Sequence, residues 1–461
     1  MILPPPLLEA LAAPAGGRVV LVIGAGTSLE PPTLIPLALE CAREAHRRLL
    51  ADGILNPTDC SNPDDLSILA DTVKSKTGGQ AELVLRLPTP EFKTAPPNDG
   101  HLIAAALMME GAIANIVTLN FDLSLNHALS QVSANNDVSI IKGPEEHHGL
   151  GRSNVIYLHR NVEAEPENWI LTTDALGDAW RDNWEEVIVR FATAAPVTVF
   201  AGLGSPCGVL SHSIRKIQLA LRDNANIYLA GPGEVEDSCF ASELQITTDQ
   251  YVKLGWVDLM RGFADRIITE ITHHISISCK ELIRREGWVE ENIDRLCERL
   301  IGLGMVDFGR LRAAWLLDDR TYLKAEVGHL PLIADLLLAI GTIERVKGLT
   351  ASIFPNGIVE LRSATQSWLI RVASGRGILR WASMEARLLY REKYESAVVP
   401  TACSRTVLVS GVIGQRFAVA PPASILGTID ENSIVGTDTT LLLVDVDQIR
   451  CVPPILEEMF A

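Results

Sequence analysis

The chain has 461 residues, with 57 acidic against 40 basic side chains and a formal net charge of −17. Phosphate contacts need clustered cations, so this balance speaks against direct binding to nucleic acid or to an anionic membrane surface. Hydrophobic residues make up 47% of the chain. No apolar run reaches the ~20 residues of a membrane span, and the strongest candidate, residues 330–343, is interrupted by Asp335 and reads as a core helix. The length suits two or three domains of roughly 150 residues each. The amino-terminal residues MILPPPLLEA have no basic stretch ahead of their apolar ones, and the eight cysteines are scattered, which together predict a cytoplasmic protein.

In chain order, residues 19–28 (VVLVIGAGTS) come first and say most. A β-branched apolar run predicts a buried parallel strand, and Gly24-Ala25-Gly26 then lets backbone N–H groups approach a ligand. An amphipathic stretch over residues 34–50 predicts the following helix, whose N-terminus suits a pyrophosphate. Polar, turn-rich pieces at 56–65 and 88–97 mark a mixed helical insertion. Residues 116–122 predict a strand whose alternation puts Asn120 and Asp122 on one side of the chain, at the carboxyl end where open α/β sheets bind ligands. Residues 154–159 predict a strand ending in His159, residues 197–205 a strand ending in Gly202, Gly204 and Ser205, and residues 226–230 a strand followed by Gly231-Pro232-Gly233. The fold class predicted is α/β: a doubly wound, Rossmann-like parallel sheet with a helical insertion, plus a carboxy-terminal mixed α/β accessory domain.

The ordered motifs GAGTS, TLNFD, YLH, FAGLGS and IYLAGPG resemble the NAD-binding core of the sirtuins. Residues 97–122 and 251–260 extend the likeness over roughly the first 265 residues, towards a prokaryotic branch of the family. Two features depart from it: Arg160 stands where the family usually has glycine after its histidine, and no clear asparagine follows the last strand. No two cysteines share a C-x-x-C spacing, so the zinc ribbon of the protein-deacylating sirtuins has no counterpart and no zinc is expected. The resemblance implies an NAD-binding catalytic domain over residues 1–268, with the insertion forming a mobile wall over a nicotinamide pocket. Residues 269–461 are left as an accessory, oligomerisation or partner-binding domain, or a plain accessory one; within them residues 281–303 and 331–346 predict helices, and residues 405–413, 416–420 and 441–449 predict short strands.

NAD holds nicotinamide through a positively charged N-glycosidic bond, so an enzyme must bend the ribose, stabilise an oxocarbenium-like centre and present a nucleophile. In that constellation Asn120 orients a water molecule or ribose hydroxyl. Asp122 holds the nicotinamide carboxamide or its charge, and His159 accepts a proton. Gly24, Ala25, Gly26 and Ser28 line the pyrophosphate, and Gly202, Gly204 and Ser205 the adenosine half; Gly231 is a further cofactor-binding candidate. The rival readings are plain ones. Asn120 and Asp122 also suit caps for a helix near Ser124, and glycine turns suit close packing. Trp169, Trp180 and Trp184 suit a core as well as a cofactor cover, and adjacent His147 and His148 lack metal-site spacing. The expected activity is NAD hydrolysis to nicotinamide and ADP-ribose, by an antiviral (antiphage) effector acting as a homo-oligomer or with a defence partner. The alternatives are a zinc-free deacylase or ADP-ribosyltransferase, and a non-catalytic NAD or ADP-ribose sensor.

Overall fold

The computed structural model describes residues 3–12, 19–132, 138–175, 188, 195–203, 226–243, 245–289, 292–315, 330–374, 403–410, 442–451 and 455–460. Two compact units divide the chain, Met1–Ile267 and Ile268–Ala461. In the first, seven strands form one sheet: β1 (Val19–Ile23), β2 (Ile113–Thr118), β3 (Ser139–Ile141), β4 (Asn154–Tyr157), β5 (Val197–Ala201), β6 (Asn226–Gly231) and β7 (Tyr251–Lys253). Their order is β3-β4-β2-β1-β5-β6-β7, and every pairing is parallel. All five residues of β1 are fully buried, as a strand covered on both faces requires. The chain begins at the centre of the sheet, builds one half and returns to build the other, so β1 lies between β2 and β5. This is a doubly wound α/β sheet, and the carboxyl ends beside β1 are its ligand-binding edge.

Local chemistry moves several predicted boundaries. Strand β2 ends at Thr118, not Asp122: Leu119 N still donates to Ile23 O at 3.0 Å, but Asn120 N turns back to Oγ1 of Thr118, two residues earlier, at 3.1 Å. A side-chain hydroxyl has replaced the ladder there, so Asn120 and Asp122 sit in a loop. The helix predicted from residue 34 begins at Ala38. The glycine turn leads first into one turn of 3-10 helix, Ala25–Ser28, and then a proline-rich loop. Pro36 disfavours helical backbone at Ile35, and Glu40 then accepts from Leu37 N at 3.0 Å to start the helix. The turn therefore does not abut a long helix N-terminus.

The insertion is helical, as expected, with helices Ala38–Ala51, Leu66–Thr77, Ala81–Val84 and Thr89–Thr94. They share one apolar cluster that includes Ala42, Leu49, Leu69, Val73, Leu83 and Phe92, joined by Trp169 and Leu171. The Asp99–Met109 helix enters β2, and Asn98 caps it by accepting from His101 N at 3.1 Å.

In the second unit β8 (Thr350–Ile353), β9 (Ile358–Arg362), β10 (Ser367–Ser374), β11 (Cys403–Ser410) and β12 (Leu442–Asp445) lie in the order β12-β11-β10-β9-β8. β8, β9 and β10 pair antiparallel; β10, β11 and β12 pair parallel. The Leu330–Lys347 helix is buried along most of its length against its own sheet, so its apolar character serves this core and gives no support to self-association. The helix predicted over 281–303 is instead two, Trp256–Glu286 and Ile293–Trp315, separated after Gly287, whose φ of +76° ends the first. The strand predicted over 441–449 stops at Asp445 and gives way to the Val446–Cys451 helix. The strand predicted over 416–420 lies outside the described residues. Among the described residues no helix is long and apolar enough to cross a membrane.

Candidate functional site

A cavity of about 140 Å³ opens at the carboxyl ends of β1, β2 and β4. Gly24, Ala25 and Ser28 reach it from the first turn, Asn120 and Asp122 from the loop after β2, and His159 from two residues beyond β4. The insertion supplies Ile35, Leu66, Leu87 and Phe92 to the opposite wall, joined by Ile170 and Leu171. Six of the residues predicted from sequence thus meet in one place. The remaining five do not line this cavity or cannot be placed. Gly26 N donates to Gly202 O at 2.8 Å, and a Cβ on Gly202 would come within 2.5 Å of Thr27 N. With φ at +66°, Gly202 is a glycine required by two turns packed backbone to backbone. Gly231 ends β6 against the Tyr251 hydroxyl, which a Cβ there would meet at 2.8 Å. Gly204 and Ser205 lie outside the described residues, as do Trp180 and Trp184.

Three polar residues of the cavity, Ser28, Asn120 and Asp122, are bonded to one another. Ser28 Oγ donates to Asp122 Oδ2 at 2.9 Å, and Ser124 N donates to Asp122 Oδ1 at 2.9 Å. The N-cap of the Ser124–Gln131 helix is Leu123, and Asp122, one residue before it, holds the helix's first N–H while also facing the cavity. Asn120 Nδ2 lies 3.3 Å from both Thr27 Oγ1 and Ser28 Oγ. Asn120 is only 7% exposed, and its Oδ1 is buried with no hydrogen-bond partner. Buried acceptors are normally satisfied, so this one stands out among the residues lining the cavity.

His159 is buried, and burial, reinforced by the positive charge of Arg160, lowers its pKa to about 4. The imidazole is therefore neutral near pH 7, the form a base needs, and not poised at neutrality as its type suggests. Arg160 has φ +74°, a left-handed conformation that glycine adopts without strain, at the position where glycine was expected. Burial also lowers the pKa of His101, opposed by nearby Asp122. Cys41 lines the cavity, and burial pushes its thiol up to about 12, which leaves it protonated and unreactive.

Sequence reasoning gave no role to Thr27, Asn98, His101 and Tyr157. Asn98 Nδ2 donates to Thr27 O at 2.8 Å, and the Tyr157 hydroxyl lies 3.0 Å from Asp122 O and 2.9 Å from Asn126 Oδ1. The signal for Asn98 and His101 was the spacing of a reciprocal helix cap; nothing marked the other two. Trp169 is a core residue, stacked on Phe121 with ring centroids 4.5 Å apart and the planes 12° from parallel. Among the described residues no group of three or more His, Cys, Asp and Glu side chains is placed to hold a metal ion.

No protein-family model matches the chain, and no curated protein does. Among solved structures, a Sir2 homolog in complex with NAD is 16% identical, over 57% of this chain and 93% of that one, with a TM-score of 0.34. Sir2Tm bound to a propionylated peptide is 17% identical, over 56% of this chain and 95% of that one, with a TM-score of 0.32. A Sir2 bound to an acetylated peptide gives 16%, 56%, 95% and 0.32 for the same quantities. Likenesses this small leave the reading of the site to its own residues.

Proposed function

We propose that residues 1–268 form a sirtuin-like domain that binds NAD and hydrolyses its nicotinamide–ribose bond. The carrying observation is the unsatisfied, buried Oδ1 of Asn120 in a cavity that also holds neutral His159 and anchored Asp122. Among the described residues no lysine or arginine lines the cavity, which suits a flat, uncharged or cationic ring better than a phosphate. NAD supplies such a ring on a glycosidic bond that carries a positive charge. Asn120 Oδ1 accepts a hydrogen bond from a ribose hydroxyl or from the attacking water. Asp122 faces the departing nicotinamide. His159 takes a proton from the attacking water as its oxygen bonds to the ribose carbon and the carbon–nitrogen bond to nicotinamide breaks. Nicotinamide and ADP-ribose are the products.

The finer reading is an antiphage effector that drains NAD once triggered, with residues 269–461 binding a second copy or a defence partner, and with no bound zinc. Among the described residues, those lining the cavity belong to the first unit, which supports assigning the chemistry to that unit. The low pKa of His159 and the strained Arg160 favour one second reading, an NAD or ADP-ribose sensor with a weak base.

The test is nicotinamide release from NAD by the full chain, followed by chromatography, with and without phage components and with and without acylated peptide. ADP-ribose formed in equal amount with nicotinamide supports the hydrolase. NAD binding without release under any of these conditions favours the sensor. Acyl-ADP-ribose, or about one zinc per chain by elemental analysis, revives the deacylase.

A further inference from the structure

We propose that Thr27 is a positioning residue: its hydroxyl fixes which way round the Asn120 amide sits, so that Asn120 meets its ligand as an acceptor and selects a hydroxyl or water there. The inference rests on the reading of the site given above and adds a residue and a specificity to it. A carboxamide has nearly the same shape either way round, so its neighbours decide where the oxygen goes. The neighbours here are two hydroxyls, each with a single proton. The Thr27 proton is committed to Gly24 O at 2.9 Å, and the Ser28 proton to Asp122 Oδ2 at 2.9 Å. Both oxygens therefore face Asn120 as acceptors, and only its N–H groups can answer them, at 3.3 Å each. The reversed amide would set a carbonyl against two lone-pair-bearing oxygens and leave the NH₂ group unbonded. What remains is the unpartnered Oδ1. An acceptor at that point takes a hydroxyl or a water molecule and refuses a carbonyl, carboxylate or phosphate oxygen.

Thr27 separates positioning from contact in a way Ser28 cannot. Ser28 lines the cavity, so its loss removes both; Thr27 does not line it and is fully buried. Its backbone is held independently of its hydroxyl, by Asn98 Nδ2 on its carbonyl and by its own N–H on Gly24 O at 3.0 Å. Thr27→Val keeps the shape and deletes the hydroxyl; Thr27→Ser keeps the hydroxyl.

The experiment compares NAD cleavage by the full chain, Thr27→Val and Thr27→Ser. Thr27→Val is expected to lower kcat roughly 10- to 100-fold, the usual cost of losing a group that orients a reacting one. KM should stay within about twofold, Thr27→Ser should retain most of the rate, and Thr27→Val should add nothing in an Asn120→Ala background. A second measurement reads the amide itself. In protein labelled with ¹⁵N at asparagine side chains, the signal missing from Asn120→Ala should exchange slowly with solvent in wild type and in Thr27→Ser, and fast in Thr27→Val. An unchanged kcat in Thr27→Val, equal losses in the two Thr27 variants, or unchanged exchange overturns the inference. If the wild-type chain releases no nicotinamide, the hydrolase reading fails and the exchange rates alone decide the positioning.

Discussion

Two buried polar side chains, one in each unit, are held to opposite effect. In the second unit Glu344 is 4% exposed, and both carboxylate oxygens are engaged: Oε1 by Arg299 at 2.7 Å and Ala351 N at 2.6 Å, Oε2 by Arg295 at 2.8 Å and Arg299 at 2.9 Å. In the first unit Asn120 is nearly as buried, yet its Oδ1 has nothing. A closed network stiffens a core, while an open one beside a cavity waits for a ligand. Burial alone does not tell a strut from a site: Glu344 and Asn120 are buried alike and differ in whether their oxygens are answered and in whether they line a cavity.

The largest expected effect lies at the open network. Asn120→Ala and His159→Ala should each slow NAD cleavage roughly 10²- to 10⁴-fold, the range for losing an orienting group or a general base. Steady-state nicotinamide release by the activated full chain is the measurement, and wild-type rates in both variants would remove the site. At the closed network the corresponding effect is on stability. Glu344→Ala leaves Arg299 and the Ala351 N–H without their partner and should cost about 3 kcal/mol in denaturant unfolding. A loss within the scatter of ordinary surface variants, about 0.5 kcal/mol, would mean the ion cluster is no strut.

Acid sharpens the contrast, because one buried group in each unit, His159 and Asp335, should respond to it with opposite sign. His159 has its pKa lowered from 6.5 to about 4 by burial and by Arg160. Below pH 6.5 the unfolded chain takes up a proton that the folded unit refuses until about pH 4, so the first unit loses stability as pH falls through that window. Asp335 in the second unit has its pKa raised from 3.8 to about 6, by burial, against the bonds it accepts from Ser410 and Trp288. The folded unit therefore holds a proton that the unfolded chain releases, and stability falls as pH rises from about 4 to 6. Each effect is on the order of 3 kcal/mol. Hydrogen exchange resolved to peptides of each unit, between pH 4 and 7, should show the two trends crossing, and Asp335→Asn should flatten only the second. Parallel trends in both units would refute the assignment.

What was legible in the sequence follows the same physics. Strands β1, β2, β4, β5 and β6 announced themselves because two-sided burial demands continuous β-branched runs. β3 and β7, of three residues each, carry too little pattern to be seen. Asn120, Asp122 and His159 were found through motif order, although the alternation argument for the first two was mistaken, since Thr118 ends the strand before them. Thr27 and Tyr157 were invisible: their roles depend on which proton goes to which oxygen across 30 to 90 residues of chain, and no spacing encodes that. β8, β9 and β10 went unread because their alternation is brief and interrupted by polar turns.

The smallest expected effect tests how the first unit holds its base. Arg160 sits at φ +74° and its charge helps keep His159 neutral. Arg160→Gly relieves a left-handed conformation worth roughly 1 kcal/mol, but glycine also loosens the unfolded chain by about the same, so overall stability should change little. The electrostatic change does not cancel. With the cation gone, burial alone acts on His159 and its pKa must rise. The acid limb of the rate profile should therefore move to higher pH in Arg160→Gly, while the rate at neutral pH, where His159 is already unprotonated, stays close to wild type. A limb that stays in place would show that Arg160 does not set the base, and burial by the cavity walls would then account for the whole of its neutrality.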